Sequence, residues 1–499
     1  MWHQAVIDTE YTHAFYPEMA PAHMAFALLA RGHASPFVAG DGFSYAELGC
    51  GQGLTSMVLA ALHPQARFTA IDLLPRHIDG AKALAAAAGA DNLDLRCESF
   101  ADFARRQGGA DLDAIVLHGV WTWVDAGVRA TLQDIAARRL RPGGVLYVSY
   151  NCLPGWGPDM PVRALLMDAV ENAQGTLSQR IDHALTRLRR LADQGGYFAD
   201  NPSAAALVEA LQAKSDGYIA HEYLNRAWTP FTSAQVARDM ARAGLSFCAS
   251  STLLDHLDHW QVAPAHLPLP DGDETLRDVL TARRFRRDLF VKAPRRLGAG
   301  ERRAGLEMLR FVLTVPVSDI PDTVTAPGGV QDFPRAIYRP LAEALAAGPC
   351  SLSDLPGDFE TVVEAVLALV GLGLAAPSLE AGDSTRCARL NAAILAANRG
   401  APAIRQLAAP EWGTAVVVDF LDRLFLAVEA AGAADVPMAV WTILSGRGKR
   451  LRRGGRWLEG QAENLAETRR LYDGFIVERR PGLVAAGAVQ SRPITASPT

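Results

Sequence analysis

Three glycines alternate in Gly49-Cys50-Gly51-Gln52-Gly53, behind Tyr45-Ala46-Glu47-Leu48 and ahead of Leu54-Thr55-Ser56-Met57-Val58-Leu59-Ala60. A strand that breaks into such a turn and restarts as a helix builds a ligand cradle. Glycine tolerates positive φ and lets the backbone come close to a bound molecule, and the helix start offers N–H groups without partners in the helix. The spacing departs from the dinucleotide fingerprint, because the third glycine arrives one residue early and Leu54 follows it. Asp72, 19 residues beyond Gly53, closes the next apolar run. A carboxylate there accepts hydrogen bonds from both ribose hydroxyls of an adenosine. The run after that ends in Cys97-Glu98-Ser99-Phe100. The backbone and Ser99 suit the edge of an adenine ring and Phe100 suits its face.

The elements that would position these residues alternate. Strands are expected at Tyr45–Leu48, Arg67–Ile71, Leu93–Cys97, Asp113–Leu117 and Gly144–Tyr150, with helices at 54–62, 76–88, 100–106 and 126–138 between them. Alternation at this spacing implies βαβ units and a parallel sheet covered on both faces. Ligands of such sheets sit at the carboxyl ends of the strands, which is where each motif falls. The fourth strand ends at His118-Gly119-Val120-Trp121-Thr122-Trp123. The fifth is introduced by Leu140-Arg141-Pro142-Gly143-Gly144, a tight turn, and ends at Ser149-Tyr150-Asn151.

This succession resembles the class I S-adenosylmethionine-dependent methyltransferases. The resemblance rests on the glycine loop with Glu47, on Asp72, on the Glu98–Phe100 segment and on Arg141-Pro142-Gly143-Gly144. It implies S-adenosyl-L-methionine as cofactor, held by Glu47, Gly49, Gly51, Gly53, Asp72, Glu98, Ser99, Phe100 and His118. The sulfonium cofactor carries no phosphate, in keeping with a loop that has no Walker lysine and an acidic neighbourhood. His118-Gly119-Val120-Trp121-Thr122-Trp123, the run from Ser149 to Trp156, and His221-Glu222-Tyr223-Leu224 are similar to a branch with a methyltransferase regulatory domain. That branch includes bacterial protein-lysine methyltransferases with a carboxyl-terminal winged-helix domain.

The architecture so implied is α/β: a Rossmann-like seven-stranded methyltransferase sheet with a helical insertion and a C-terminal, mainly α, winged-helix-like region. Residues 1–155 would form the cofactor-binding core, 156–243 a helical insertion, and 244–297 the completion of the sheet. A winged-helix-like domain would follow at 301–380, then a helical domain at 381–489 and a tail at 490–499. In the sheet-completing part, Leu245–Ala249 and Asp288–Lys292 read as the last strands, and Arg283-Arg284-Phe285-Arg286-Arg287 as a solvated helix end.

His118 stands just past the fourth strand, the place nearest the transferred methyl in this fold, where it accepts a proton or only braces its loop. Trp121 and Trp123 either wall the acceptor pocket or pack the loop. Tyr150 and Asn151 either face the acceptor or brace the turn through Pro154. The Asn/Asp-Pro-Pro-Tyr signature of many nitrogen methyltransferases is absent after the fourth strand, which disfavours a nucleic-acid base. A lysine amine of a protein is the acceptor that the resemblance implies. A small-molecule O- or N-methyltransferase and a non-catalytic cofactor-binding scaffold remain as other readings.

Ahead of the sheet, Tyr11-Thr12-His13-Ala14-Phe15-Tyr16-Pro17 either folds over the ligand or anchors the amino terminus, before a short helix at 21–30. In the insertion, Val162–Ala173 and Leu177–Gln194 carry apolar residues at helical spacing. They suit a lid, an acceptor platform or a homodimer surface. His221-Glu222 lacks the second histidine of HExxH, so no metal is expected. Pro294–Gly300 reads as a linker. Helices are expected at Ala336–Ala347, Leu352–Leu355, Phe359–Leu372, Ala392–Ala397, Ala415–Ala431 and Asn464–Glu478. Acidic Asp354, Asp358, Glu360 and Glu364 on the would-be recognition stretch favour a protein contact over DNA, and Arg447–Arg456 is a basic loop.

Composition bounds the rest. With 499 residues the chain has room for roughly three domains. A net charge of -5 gives no case for a general nucleic-acid binder. The six cysteines lie far apart, without a CxxC pair, and point to neither zinc nor disulfides. No apolar run approaches a membrane span, and a reducing, cytoplasmic setting is expected.

Overall fold

The computed structural model describes residues 13–38, 40–106, 112–262, 272–400 and 404–490. Its centre is a seven-stranded sheet of β1 (Ser44–Leu48), β2 (Arg67–Asp72), β3 (Leu93–Cys97), β4 (Leu112–Leu117), β5 (Leu140–Asn151), β6 (Leu245–Ser250) and β7 (Phe285–Lys292). The order is β3-β2-β1-β4-β5-β7-β6. β7 runs antiparallel between β5 and β6, whereas β1 to β5 pair in parallel. The chain winds outward from β1 through β2 to β3, then returns to place β4 on the other side of β1. The loops after β1 and β4 therefore diverge and leave a crevice at their carboxyl ends. The expected tight turn at Arg141–Gly144 is absorbed into the start of β5, where the register against β4 shifts between Leu112 and Ala114.

The helix Leu54–Leu62 leaves the glycine loop from Gly53, which is left-handed at φ 67°. All its residues are buried, Thr55 and Ser56 among them, so it is covered on every side. The sheet covers one side and the carboxyl-terminal helix Ser384–Gly400 another. Arg386 of that helix also pairs with Asp91, in the loop ahead of β3, at 2.7 Å.

Several expectations are corrected. The Arg283–Arg287 run is no solvated helix end: its last three residues lie in β7, and Arg286 is fully buried. Its guanidinium meets Asp278 at 2.7 Å, Glu274 at 2.8 Å and Asp288 at 3.0 Å. A buried charge persists only when paired in this way, and these partners come from outside the basic run. The 294–300 segment is sewn to the amino-terminal region rather than free, with hydrogen bonds from Ala34 N to Arg295 O and from Leu297 N to Gly32 O. The stretch expected as helix over 415–431 begins as a strand, Thr414–Val417, paired with Gln406–Ala409, and turns helical only at Phe420–Ala430. The β-branched run Val416-Val417-Val418 prefers extended backbone.

The helix Phe359–Gly371 buries Val362, Val363, Val366 and Leu369 and packs on the turn Leu253–His256. Its acids sit elsewhere. Asp358 caps its start by accepting from the Glu360 and Thr361 amides, and Glu360 pairs with Arg302 at 2.6 Å. Much of this would-be recognition stretch is thus committed inside the molecule. The inserted helices Met160–Asn172, Leu177–Asp193, Pro202–Gln212 and Asp216–Tyr223 form a separate core around Trp156, Leu166, Leu185, Val208, Tyr223 and Trp228. Among the described residues no helix is long and apolar enough to cross a membrane. Tyr11, Thr12 and the tail beyond Gln490 lie outside the described residues.

Candidate functional site

A cavity of about 430 Å³ opens at the carboxyl ends of β1 and β4. Glu47, Gly49, Gly51, Gly53, Asp72, Glu98, Ser99, Phe100, His118 and Asn151 line it, as does Trp123. The glycine loop is held by β2, since the Gly49 and Cys50 amides both donate to Ile71 O, at 2.8 and 2.9 Å. Gly49 is left-handed at φ 84°, and a Cβ there would stand 2.7 Å from Val120 Cγ2. Only glycine keeps this wall of the cavity open.

Asp72 has two duties. Its Oδ2 accepts from the Gly51 amide at 2.9 Å and its Oδ1 from the Leu74 amide at 2.9 Å. A carboxylate offers about four lone-pair sites, so about two remain for a ligand's hydroxyls. Glu47 is buried beneath the loop, where the Ser56 hydroxyl donates to it. Burial pushes its carboxyl up to about 7 despite that bond, with Asp72 adding to the rise. Glu98 receives Arg106 at 3.1 Å. Ser99 is drawn into the capping box of the Phe100–Arg105 helix, its hydroxyl donating to Asp102 at 2.6 Å. Its backbone, more than its side chain, is then left for an adenine edge.

At the other end His118 lies against Tyr16, with ring centroids 4.0 Å apart, and its Nδ1 is 3.0 Å from the Tyr147 hydroxyl. Burial, helped by Arg287, lowers its pKa to about 4, so the ring is neutral at pH 7. The loop beyond it is fixed by the Gly119 amide donating to Ser149 Oγ at 2.8 Å.

The structure does not bring Trp121 and Tyr150 to the cavity. Trp121 is fully buried and packs beside Phe231, while Trp123, two residues on, faces the opening. Tyr150 points away from Asn151, as neighbours on a strand must, and its hydroxyl donates to Asp288 at 2.6 Å. Glu222, Asn225 and Phe285 line it from segments not assigned to the pocket from sequence. Glu222 belongs to the motif weighed only for metal, and Phe285 sits inside the arginine run. Tyr16, from the aromatic segment with two readings, also lines the cavity, whereas its neighbour Phe15 is buried.

The residues fit the sulfonium cofactor. The Asp, Glu, Lys and Arg side chains of the lining are Glu47, Asp72, Glu98 and Glu222, all acidic. The carboxylate that ends β2 keeps lone pairs of the kind a ribose's hydroxyls need, and Phe100 offers a ring face.

Residues 46–146 match the family described as "Methyltransferase domain", and residues 215–292 the family described as "Predicted methyltransferase regulatory domain". The uncharacterized protein sll1526 of Synechocystis sp. is 32% identical over 97% of this chain and 99% of its own length. The uncharacterized protein RP028 of Rickettsia prowazekii is 28% identical over 36% of this chain and 71% of its own. The solved structure of PKMT2 from Rickettsia typhi in complex with AdoHcy shares the fold, with a TM-score of 0.65 at 16% identity, covering 94% of this chain and 98% of that one. The chain belongs to the family of sll1526 and is an S-adenosylmethionine-dependent methyltransferase whose class I core carries a methyltransferase regulatory domain.

Proposed function

We propose that the methyl acceptor is the side-chain amine of a protein lysine. The observation that carries this reading is the lining away from the glycine loop: its charged residue is the acid Glu222, no Lys or Arg is among the described lining residues, and the rings of Tyr16, Trp123 and Phe285 wall it. Such a lining favours a cationic amine through ring faces and carboxylates. It repels an anionic acceptor such as a phosphate or carboxylate. The solved PKMT2, a protein-lysine methyltransferase, shares this chain's fold along nearly its whole length, the inserted and carboxyl-terminal parts included.

When bound, the cofactor supplies a methyl group already activated by the sulfonium charge. The protein's work is then positioning and exclusion of water. Neutral His118 places no positive charge beside the sulfonium or the incoming amine. Asp72 and the glycine loop hold the nucleoside, and the rings of Tyr16 and Trp123 shield the acceptor end. The amine must be neutral to attack: its ammonium proton would pass to solvent at the mouth of the cavity, and polar acceptors would then orient the amine through its remaining N–H bonds.

The test is mass spectrometry of cell lysate incubated with the protein and heavy-methyl S-adenosylmethionine. Heavy mono-, di- or trimethyl-lysine in protein peptides is expected. Label confined to small metabolites, or to residues other than lysine, refutes the reading.

A further inference from the structure

Three of the four cavity carboxylates are committed to building the cofactor's end. Glu47 is bound by Ser56, Asp72 by the Gly51 and Leu74 amides, and Glu98 by Arg106. Glu222 differs. It lines the same cavity and is half-buried, yet it makes no hydrogen bond or ion pair with any described residue. The groups acting on it are burial, which raises its proton affinity, and no arginine or lysine lies in the lining to satisfy it.

Its placement follows from the inserted segment. The helix Asp216–Tyr223 starts from Ser215, whose hydroxyl accepts the Tyr218 amide at 3.3 Å. Ile219 and Tyr223 then enter the separate core of the insertion. Glu222 lies off that buried stripe and lines the opening with Asn225, Trp123 and Asn151. A half-buried carboxylate left without a partner costs stability. A ligand that supplies a cation recovers that cost.

We infer that Glu222, contributed by the inserted segment rather than the sheet, is the specificity-determining residue that receives the amine of the acceptor lysine. This rests on the lysine reading above and assigns it to one side chain. By accepting an N–H of the amine, the carboxylate orients the nitrogen's remaining substituents. Trp123 shares that end of the cavity and offers a ring face to the lysine's aliphatic stem.

The test uses the full chain loaded with S-adenosylhomocysteine and two probes, Nα-acetyl-lysine N-methylamide and its uncharged norleucine counterpart, titrated by NMR. The native protein is expected to bind the lysine probe at least ~10-fold more tightly than the norleucine probe, the worth of one charge-assisted hydrogen bond. Glu222→Gln should erase that preference and Glu222→Asp should restore part of it. In Glu222→Gln S-adenosylhomocysteine affinity should stay at the native value and the melting temperature should not fall, because the replaced carboxylate holds nothing else and its burial is a cost. An unchanged lysine preference in Glu222→Gln, or none in the native protein, overturns the assignment. The two proposals fail separately. Unlabelled lysate lysines with native enzyme reject the lysine acceptor. Native labelling with an unaltered acceptor KM in Glu222→Gln rejects only the role of Glu222.

Discussion

Replacing Asp72 by asparagine weakens both its hold on the ligand and its hold on the loop, and two assays read them apart. The carboxylate has about four lone-pair sites, of which the Gly51 and Leu74 amides take one each at 2.9 Å. Asparagine keeps one oxygen and turns the other atom into a donor. Whichever way the amide is turned, that donor faces the Gly51 or the Leu74 N–H, since each oxygen accepts from one of them, and it also withdraws an acceptor from a ribose hydroxyl. One lost hydrogen bond to a charged group is worth about 1.5–3 kcal/mol, so S-adenosylmethionine should bind about 10- to 150-fold more weakly to Asp72→Asn. Asp72→Ala removes both ribose contacts and should weaken binding by about 150-fold or more on the same scale. Calorimetric titration of the cofactor measures both variants. Asp134→Asn serves as control, since among the described residues Asp134 pairs only with exposed Arg138 on the helix surface. Melting curves report the loop's own share, because an amide left facing a donor costs about 1–3 kcal/mol. Native-like cofactor affinity in Asp72→Asn, within twofold, would refute the placing of the ribose at this carboxylate.

Two further outcomes concern buried charge. Arg286→Leu leaves Asp278, Glu274 and Asp288 without the cation they share, Glu274 keeping only Arg277 at 3.7 Å. Breaking a buried pair this way costs about 3–5 kcal/mol, so the variant should unfold at markedly lower urea, and native-like unfolding would show the network to be dispensable. His63 is buried against Phe43, and burial lowers its pKa from 6.5 to about 4. The unfolded chain therefore binds a proton that the folded chain refuses, and the stability from neutral His63 is present above pH 6.5 and lost as pH falls toward 4. In His63→Phe that loss is absent. The stability gap between native and variant should shift by about 2–3 kcal/mol between pH 7 and pH 4.5. Urea midpoints at the two pH values check this, and a gap independent of pH would contradict it.

What was legible in the sequence is what sits on consecutive βα loops. The glycine loop, Asp72, Glu98–Phe100 and His118 each follow a strand directly, and in a parallel sheet the carboxyl ends of neighbouring strands are neighbours in space. Local pattern was enough to find them, and the seven strands lie close to their expected places. Tertiary structure decided the rest. Whether Tyr150 or Asn151 faces the ligand depends on which side of β5 the cavity lies, and a period of two residues cannot say. Arg286 reads as solvated until the fold brings it acids from beyond its own run. Tyr16, Glu222 and Phe285 reach the cavity from the amino-terminal segment, the insertion and β7. Their positions are set by long-range packing that leaves no spacing in the chain. The sequence alone determined which strand ends would line the cavity; the part lined by Tyr16, Glu222 and Phe285 exists only where separate segments converge.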